Sequence, residues 1–442
     1  MFLSPFTPPA LFAQVPSPVI TEPRDVRPLP GELDRIPVFN SNSPELVLSE
    51  GILLSTFSPR GKRQPTAHLN FPLDGRFDIF AHHVAKPAEP GDLRTLYLGI
   101  LVYNPGTEPV TLEILTAASY LSQPDAPFVE LPPIAENNQG EVYAGPGSRV
   151  MADILRGKRG SEFPETITIP PRGYRMLINA PIPVRPLEPP LNGRSLLMQL
   201  QGSDPVYVAS LAQYAVQNPD GSESAPPLES WIKLLNRGQL ATPRDRVPTP
   251  PDAETDTVIY GRVAGVALGS AWNAEIPELE IPRPGAAISY VLSSLPGGQL
   301  GTDQIQSAPL AVRYPDTAYR AHGNYGIRYA LDLPLYNPTD EPKTVALTLE
   351  TPLKTDGLSG GLQFFDELPD AVFFRGTVRF RYADAGGEMQ NRYFHLVQKR
   401  GQQGTPLIQL EIEPQARRRV EFEFLYPPDA TPPQVLTIQT LN

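Results

Sequence analysis

Tyr103-Asn104-Pro105-Gly106-Thr107-Glu108-Pro109 returns as Tyr336-Asn337-Pro338-Thr339-Asp340-Glu341-Pro342, with Tyr, Asn, Pro, Glu and Pro in the same places. The flanks agree as well. Leu98, Ile100 and Val102 before the first turn fall on Leu331, Leu333 and Leu335; beyond it, Leu112 and Ile114 fall on Val345 and Leu347. Apolar residues at every second position on both sides of an Asn-Pro step predict two half-buried strands joined by a tight loop, a hairpin in each copy. Proline presets φ for the turn and Asn bonds its own backbone, so register is set locally.

The likeness extends outward from the turn. Ala321-His322 precedes the second copy as Ala81-His82 precedes the first, and Leu155-Arg-Gly-Lys-Arg-Gly160 resembles Leu396-Val-Gln-Lys-Arg-Gly401. Strand-Pro-strand follows in both, over Ile167 to Ile178 and Ile408 to Phe424. A period of roughly 235 residues is far above the 20–50 of a solenoid. The expectation is an all-β chain of two tandem, internally duplicated antiparallel β-sandwich domains with Pro-rich loops. Residues 36–217 form the first domain and 257–442 the second. An arm precedes them (1–35), and a linker with a short helix separates them (218–256).

Composition fits this reading. The 442 residues include 55 prolines and 34 glycines, spread along the chain, which helix interiors tolerate poorly. A hydrophobic content of 40% argues against wholesale disorder. Net charge of −11 disfavours nucleic acid and anionic membrane as partners. The absence of cysteine excludes disulfides, thiolate metal sites and thiol catalysis. No apolar run reaches the ~18 residues of a membrane helix. Met1 to Ala13 is uncharged, apolar and ends in a small residue, and reads as a secretory signal remnant lacking its basic start.

Between the arm and the linker, strands are expected at 46–48, 52–57, 68–71 and 76–84, on both sides of the repeated turn, and at 166–169, 174–180, 195–201 and 206–215. The stretch 121–148 reads as a long loop. Glu229 to Leu240 carries Trp231, Leu234 and Leu235 at helical spacing.

Few residues carry chemistry. Gly357-Leu358-Ser359-Gly360-Gly361 has the G-x-S-x-G spacing of a nucleophile elbow, with Asp384 and His395 following in triad order. The elbow requires a strand before Ser359 and a helix after it, and neither flank supplies one. Asp78 and His82 share a strand face on which His83 cannot join them, and no third ligand completes a metal site. Phosphate-binding glycine motifs are absent, and no cofactor is expected. Nothing singles out a catalytic pair among the 48 acids.

The charge feature with most content is a hairpin, 372–382 with 389–398. Phe374, Val378, Phe380 and Tyr382 make one face of its first strand; Arg375, Arg379 and Arg381 make the other. From 372 to 419 nine bases stand against four acids, an excess of five positive charges inside an acidic protein. Guanidinium groups in a row suit carboxylate or sulfate recognition, so Arg375, Arg379, Arg381 and His395 form a candidate site for an acidic polysaccharide. The alternative is a solvated sheet face or a seam against the acidic remainder. Trp231 and Trp272 could stack on sugars, but packing is the commoner use of tryptophan.

Val26-Arg-Pro-Leu-Pro-Gly31, Pro37-Val-Phe-Asn-Ser-Asn-Ser-Pro-Glu-Leu46 and Arg76-Phe-Asp-Ile-Phe-Ala-His-His83 resemble the opening of an uncharacterised cyanobacterial family. Tyr260-Gly-Arg-Val-Ala-Gly-Val-Ala267, Tyr314-Pro-Asp-Thr-Ala-Tyr319 and Leu425-Tyr-Pro-Pro-Asp-Ala-Thr-Pro-Pro-Gln-Val-Leu436 resemble its later parts. It is a domain-of-unknown-function family, so the resemblance brings no activity, cofactor or catalytic residue. It implies an exported envelope protein made with a signal peptide. The expectation is a non-enzymatic protein of the periplasm or cell envelope that acts through surface binding, its partner an envelope protein or an acidic polysaccharide. A hydrolase using Ser359 is the remaining alternative.

Overall fold

The computed structural model describes residues 18–253 and 257–442. The expected signal remnant, Met1 to Ala13, lies outside the described residues. Strands dominate, with two α-helices, α1 (Pro146–Leu155) and α2 (Leu228–Arg237). Among the described residues no helix is long and apolar enough to cross a membrane.

The repeated turn is a corner rather than a hairpin. Leu96–Tyr103 lies in a four-stranded sheet, and Val110–Leu121, after the turn, lies in a nine-stranded one. In the second copy Arg328–Tyr336 belongs to a seven-stranded sheet and Lys343–Glu350 to a five-stranded one. Alternation shows that a strand has one buried face, but is silent about which strand it pairs with. The asparagine makes the corner. Asn104 is fully buried. Its Oδ1 accepts from Gly106 N at 2.7 Å, and its Nδ2 donates to Glu108 O at 2.7 Å and Ile169 O at 3.2 Å. Asn337 repeats this with Thr339 N, Glu341 O and Ile412 O at 3.0, 2.8 and 2.9 Å. Ile169 and Ile412 each end the strand beside the outgoing one, so one carboxamide ties two sheets together.

The sheets carrying the outgoing strands share a plan. In the first, Thr166–Ile169, Val110–Leu121, Asn192–Gly202, Arg76–Ala85 and Pro37–Ser41 lie in that order. In the second the order is Ile408–Ile412, Lys343–Glu350, Gln434–Thr440, Ala287–Leu292 and Asp25–Arg27. Both sets are antiparallel until a final parallel pair. The facing sheets differ. Leu96–Tyr103 has an antiparallel neighbour in Tyr207–Tyr214, whereas Arg328–Tyr336 has a parallel one in Ala271–Glu275.

The sheets do not divide at the linker. Val19–Glu22 and Asp25–Arg27, from the expected arm, pair with Leu362–Phe365 and Ala287–Leu292. Conversely, Ala264–Leu268 and Ala308–Arg313 extend the nine-stranded sheet beyond Pro37–Ser41. The expected long loop contains a strand, Ile134–Glu136, that pairs with Met389–Lys399, and runs into α1. Its helix signal was a Pro at the first helical position followed by Val150, Met151, Ile154 and Leu155, all buried.

The nine-stranded sheet is buried on both faces. Phe77, Ile79 and Ala81 pack with Leu98, Ile100 and Val102 of the four-stranded sheet. On the other face Val38, Phe80, Ala118 and Leu197 join the core of the second sandwich through α1, Ile327 and Tyr329. Helix α1 touches strands of both sandwiches, and a Cβ on its Gly147 would overlap the Pro428 ring. Helix α2 buries Trp231 and Leu235 on the outer face of the four-stranded sheet. Trp272 is buried too, with Nε1 donating to Pro30 O at 2.9 Å. Both tryptophans pack the interior.

Removing a corner carboxamide leaves two or more buried backbone groups without partners. Asn104→Ala and Asn337→Ala should each cost about 2–4 kcal/mol in denaturant unfolding. Losses below about 0.5 kcal/mol would show that water replaces the side chain.

Candidate functional site

Strand Arg76–Ala85 places Asp78, Phe80 and His82 on the face toward the second sandwich. Phe80 sits in the apolar centre of the seam. At the His82 end the seam opens into a cavity of about 380 Å³. Its wall gathers Asn40 and His82 from the nine-stranded sheet, Asn42 just beyond strand Pro37–Ser41, Tyr260 from the segment before Ala264–Leu268, His322 just after Arg320–Ala321 at the end of the same sheet, and Lys354 from the loop after Lys343–Glu350. Ile259, Val263, Leu295 and Ala430 supply apolar lining.

The acids on this wall are engaged. Glu45 lies 3.6 Å from His82 Nε2 and contacts Arg262, which is 3.7 Å from Asp245. Contact with His82 holds the Glu45 carboxyl below its usual range. His82 Nδ1 bonds Ser195 Oγ at 2.8 Å. His322 Nδ1 bonds Ser307 Oγ at 3.1 Å, and burial keeps that ring neutral, at about 4. Its edge meets the Tyr260 ring, with centroids 5.2 Å apart.

Lys354 is a cation without an acid of its own. Its Nζ lies 4.0 Å from the Tyr260 ring centroid and donates to Tyr260 Oη, which itself donates to Pro296 O at 2.8 Å. Burial lowers the ammonium to about 8. Among the described residues no carboxylate forms an ion pair with it.

The carboxamides are more unusual. Seven asparagines are buried among the described residues: 40, 42, 104, 137, 192, 324 and 337. Five bond the protein through their side chains; Asn324, for example, reaches Ser293, Gln306 and Tyr329. Asn40 and Asn42, 4% and 5% exposed, leave Oδ1 with no partner, and both line the cavity. Buried carboxamides without partners are destabilising unless something in the cavity bonds them.

The arginine face is distributed differently from the sequence expectation. Arg379, with its side chain 24% exposed, contacts Glu423, which is 9% exposed and 2.7 Å from Arg328. Arg381 lies 3.3 Å from Glu421, Arg419 lies 2.7 Å from Asp332, and Arg417 contacts Glu278. The face is a cross-strand ladder of matched charge. Arg375 instead stacks over Phe128 at 5.3 Å, and His395 is wholly buried with neither ring nitrogen bonded. Of the four candidates Arg379 lines a polar cleft of about 600 Å³ at the Asp78 end of the seam. There Arg76 contacts Asp78 and Arg379 contacts Glu423, so its guanidinium groups are largely matched by acids.

Ser359 has no triad. It is exposed, the turn leads into strand Leu362–Phe365 rather than a helix, and His395 lies buried in the seven-stranded sheet. Asp384 instead accepts from Gly386 N, Glu388 N and Gln390 Nε2 in its own turn. Among the described residues no three His, Asp or Glu side chains are placed to hold a metal ion. His83 Nδ1 bonds the backbone, 2.8 Å from Pro44 O, whereas His82 and His322 both line the cavity.

Residues 24–440 match the family described as "Protein of unknown function (DUF3370)". The chain belongs to that family. No curated protein matches it. Among solved structures it is similar to Lac15 from a marine microbial metagenome at 11% identity and a TM-score of 0.12, covering 84% of this chain. The chain spans 54% of the length of that structure. The coconut allergen cocosin gives 11% identity, 84% of each chain and a TM-score of 0.09. At those scores neither bears on fold or function.

Two outcomes follow from this geometry. Arg379→Gln should cost about 1–2 kcal/mol, because buried Glu423 loses a partner, while exposed Arg381→Gln should stay within about 0.5 kcal/mol. Equal effects in denaturant unfolding would contradict the burial difference. Burial also holds His68, His83, His322 and His395 at about 4, against an ordinary 6.5. The unfolded chain therefore takes up these protons first, so stability is full above pH 6.5 and falls as pH drops toward 4. A thermal midpoint unchanged between pH 7.5 and pH 5 would mean that water reaches these rings.

Proposed function

We propose that the protein is a non-catalytic binding protein of the cell envelope whose ligand, a small hydroxylated molecule or the end of a glycan, occupies the seam cavity. The observation that carries this is the pair of unpartnered carboxamides, Asn40 and Asn42, on its wall. A carboxamide offers both a donor and an acceptor edge, and a hydroxyl answers either. The volume falls in the ~300–1,000 Å³ range of ligand sites, and apolar lining with a few convergent polar groups is their usual make-up. The resemblance to an exported cyanobacterial family supports the envelope location, and the absence of a triad at Ser359 supports a binding rather than a hydrolytic role.

Asn40→Leu and Asn42→Leu separate binding from folding. Replacing an unpartnered buried carboxamide by an apolar side chain of similar shape should leave stability unchanged or raised. Binding to a glycan array should fall by about tenfold or more in each variant. Variants that unfold more easily yet bind as the parent does would assign both residues to structure and refute the proposal.

A further inference from the structure

The cavity wall carries three cations, Arg246, Arg262 and Lys354, and two acids, Glu45 and Asp245. Arg262 is consumed by both acids, and Glu45 also meets His82. Arg246 is exposed at the rim with no acid partner among the described residues. Lys354 is fixed against Tyr260, and the carboxylate whose field reaches it, Asp356, forms no ion pair with it. An acidic protein thus keeps two unmatched cations on one cavity wall, while its arginine ladder is matched residue by residue. A partly desolvated cation such as Lys354 strongly favours an anion that can reach it.

We infer that the cavity takes a hydroxylated ligand bearing one anionic group, a sugar acid or a sugar phosphate, with Asn40 and Asn42 on its hydroxyls and Lys354, assisted by Arg246, on its charge. This rests on the binding role proposed above and specifies its ligand class. Tyr260 holds the Lys354 side chain along the wall by one hydrogen bond, leaving two ammonium protons for the anion. His322, neutral beside it, adds no competing charge.

The test uses the full chain and calorimetric titration at pH 7 with three matched sets of hexose epimers: neutral sugars, their uronates and their 6-phosphates. Acidic members should bind at least about tenfold more tightly than neutral ones, and the better of the two acidic sets identifies the anion. In Lys354→Gln the acidic-to-neutral ratio should collapse toward one, and Lys354→Arg should restore it.

A pH series adds a readout that a merely structural lysine would not move. The groups facing Lys354 are Tyr260, pushed up by burial, His322, already neutral, and Asp356. Lys354 itself loses its proton near 8. The parent's preference should therefore decline from pH 7 to 9, while that of Lys354→Arg holds. Equal affinity for neutral and acidic sugars would overturn the inference and leave the binding role standing. Millimolar concentrations of every sugar failing to bind would overturn both.

Discussion

A buried asparagine at the point where the chain leaves one sheet for the facing one is the constraint on which the rest depends. At such a corner the backbone loses its ladder partners on both sides. A side chain must supply an acceptor to the turn and donors to the neighbouring strand end. Asn104 and Asn337 do this with the same set of bonds. Aspartate could not donate, glutamine is one methylene longer, and serine has one proton to give. Once the corner is made, the incoming and outgoing strands belong to opposing sheets, and apolar alternation on each then fills the space between them.

The nine-stranded sheet carries the second constraint. Its odd-numbered side chains along Arg76–Ala85 fill one sandwich, and its even-numbered ones meet the other. A sheet covered on both faces needs apolar residues on both, and Phe80, Ala118 and Leu197 provide them at the centre of the seam. Toward the ends, polar residues replace apolar ones and the seam opens. Asp78 marks one end, with a cleft of matched charges, and His82 the other, with the cavity. The positions of the openings follow from where the sheets part.

Much of this pattern was readable in the chain. Most strands, α2 and the 372–398 hairpin stand where period-two and helical spacing put them; the strand expected at 68–71 is instead irregular chain after a short 3-10 turn, Pro65–Ala67. Pairing was not readable, because a corner and a hairpin share the same alternation and the same Asn-Pro step. The arginine face was correctly placed on one side of its strand, but its partners were invisible. Glu421 and Glu423 lie just past the basic stretch, and Asp332 and Glu278 come from neighbouring strands. Asn40 and Asn42 gave no signal, since a polar run at the end of a strand, Asn40 to Ser43, looks like the start of a loop. The Ala-His doublet shared by both halves was legible only as part of the repeat; it took the fold to place His82 and His322 on one cavity wall.

The contrast between the two ends of the seam bears most directly on function. At the Asp78 end polar side chains satisfy one another, which is what packing two sandwiches requires. At the His82 end the same interface retains two carboxamides that bond nothing and, among the described residues, an ammonium in no ion pair. Each unpartnered carboxamide is unfavourable for folding, by about 1–3 kcal/mol for an unsatisfied buried polar group. An apolar residue at any of the three positions would have closed the seam at less cost. Water can lessen that cost, but it does not account for two carboxamides and an ammonium on the wall of one cavity that also has apolar lining. A solute that carries hydroxyls and a negative charge does, because it bonds the carboxamides and neutralises the lysine in the same volume.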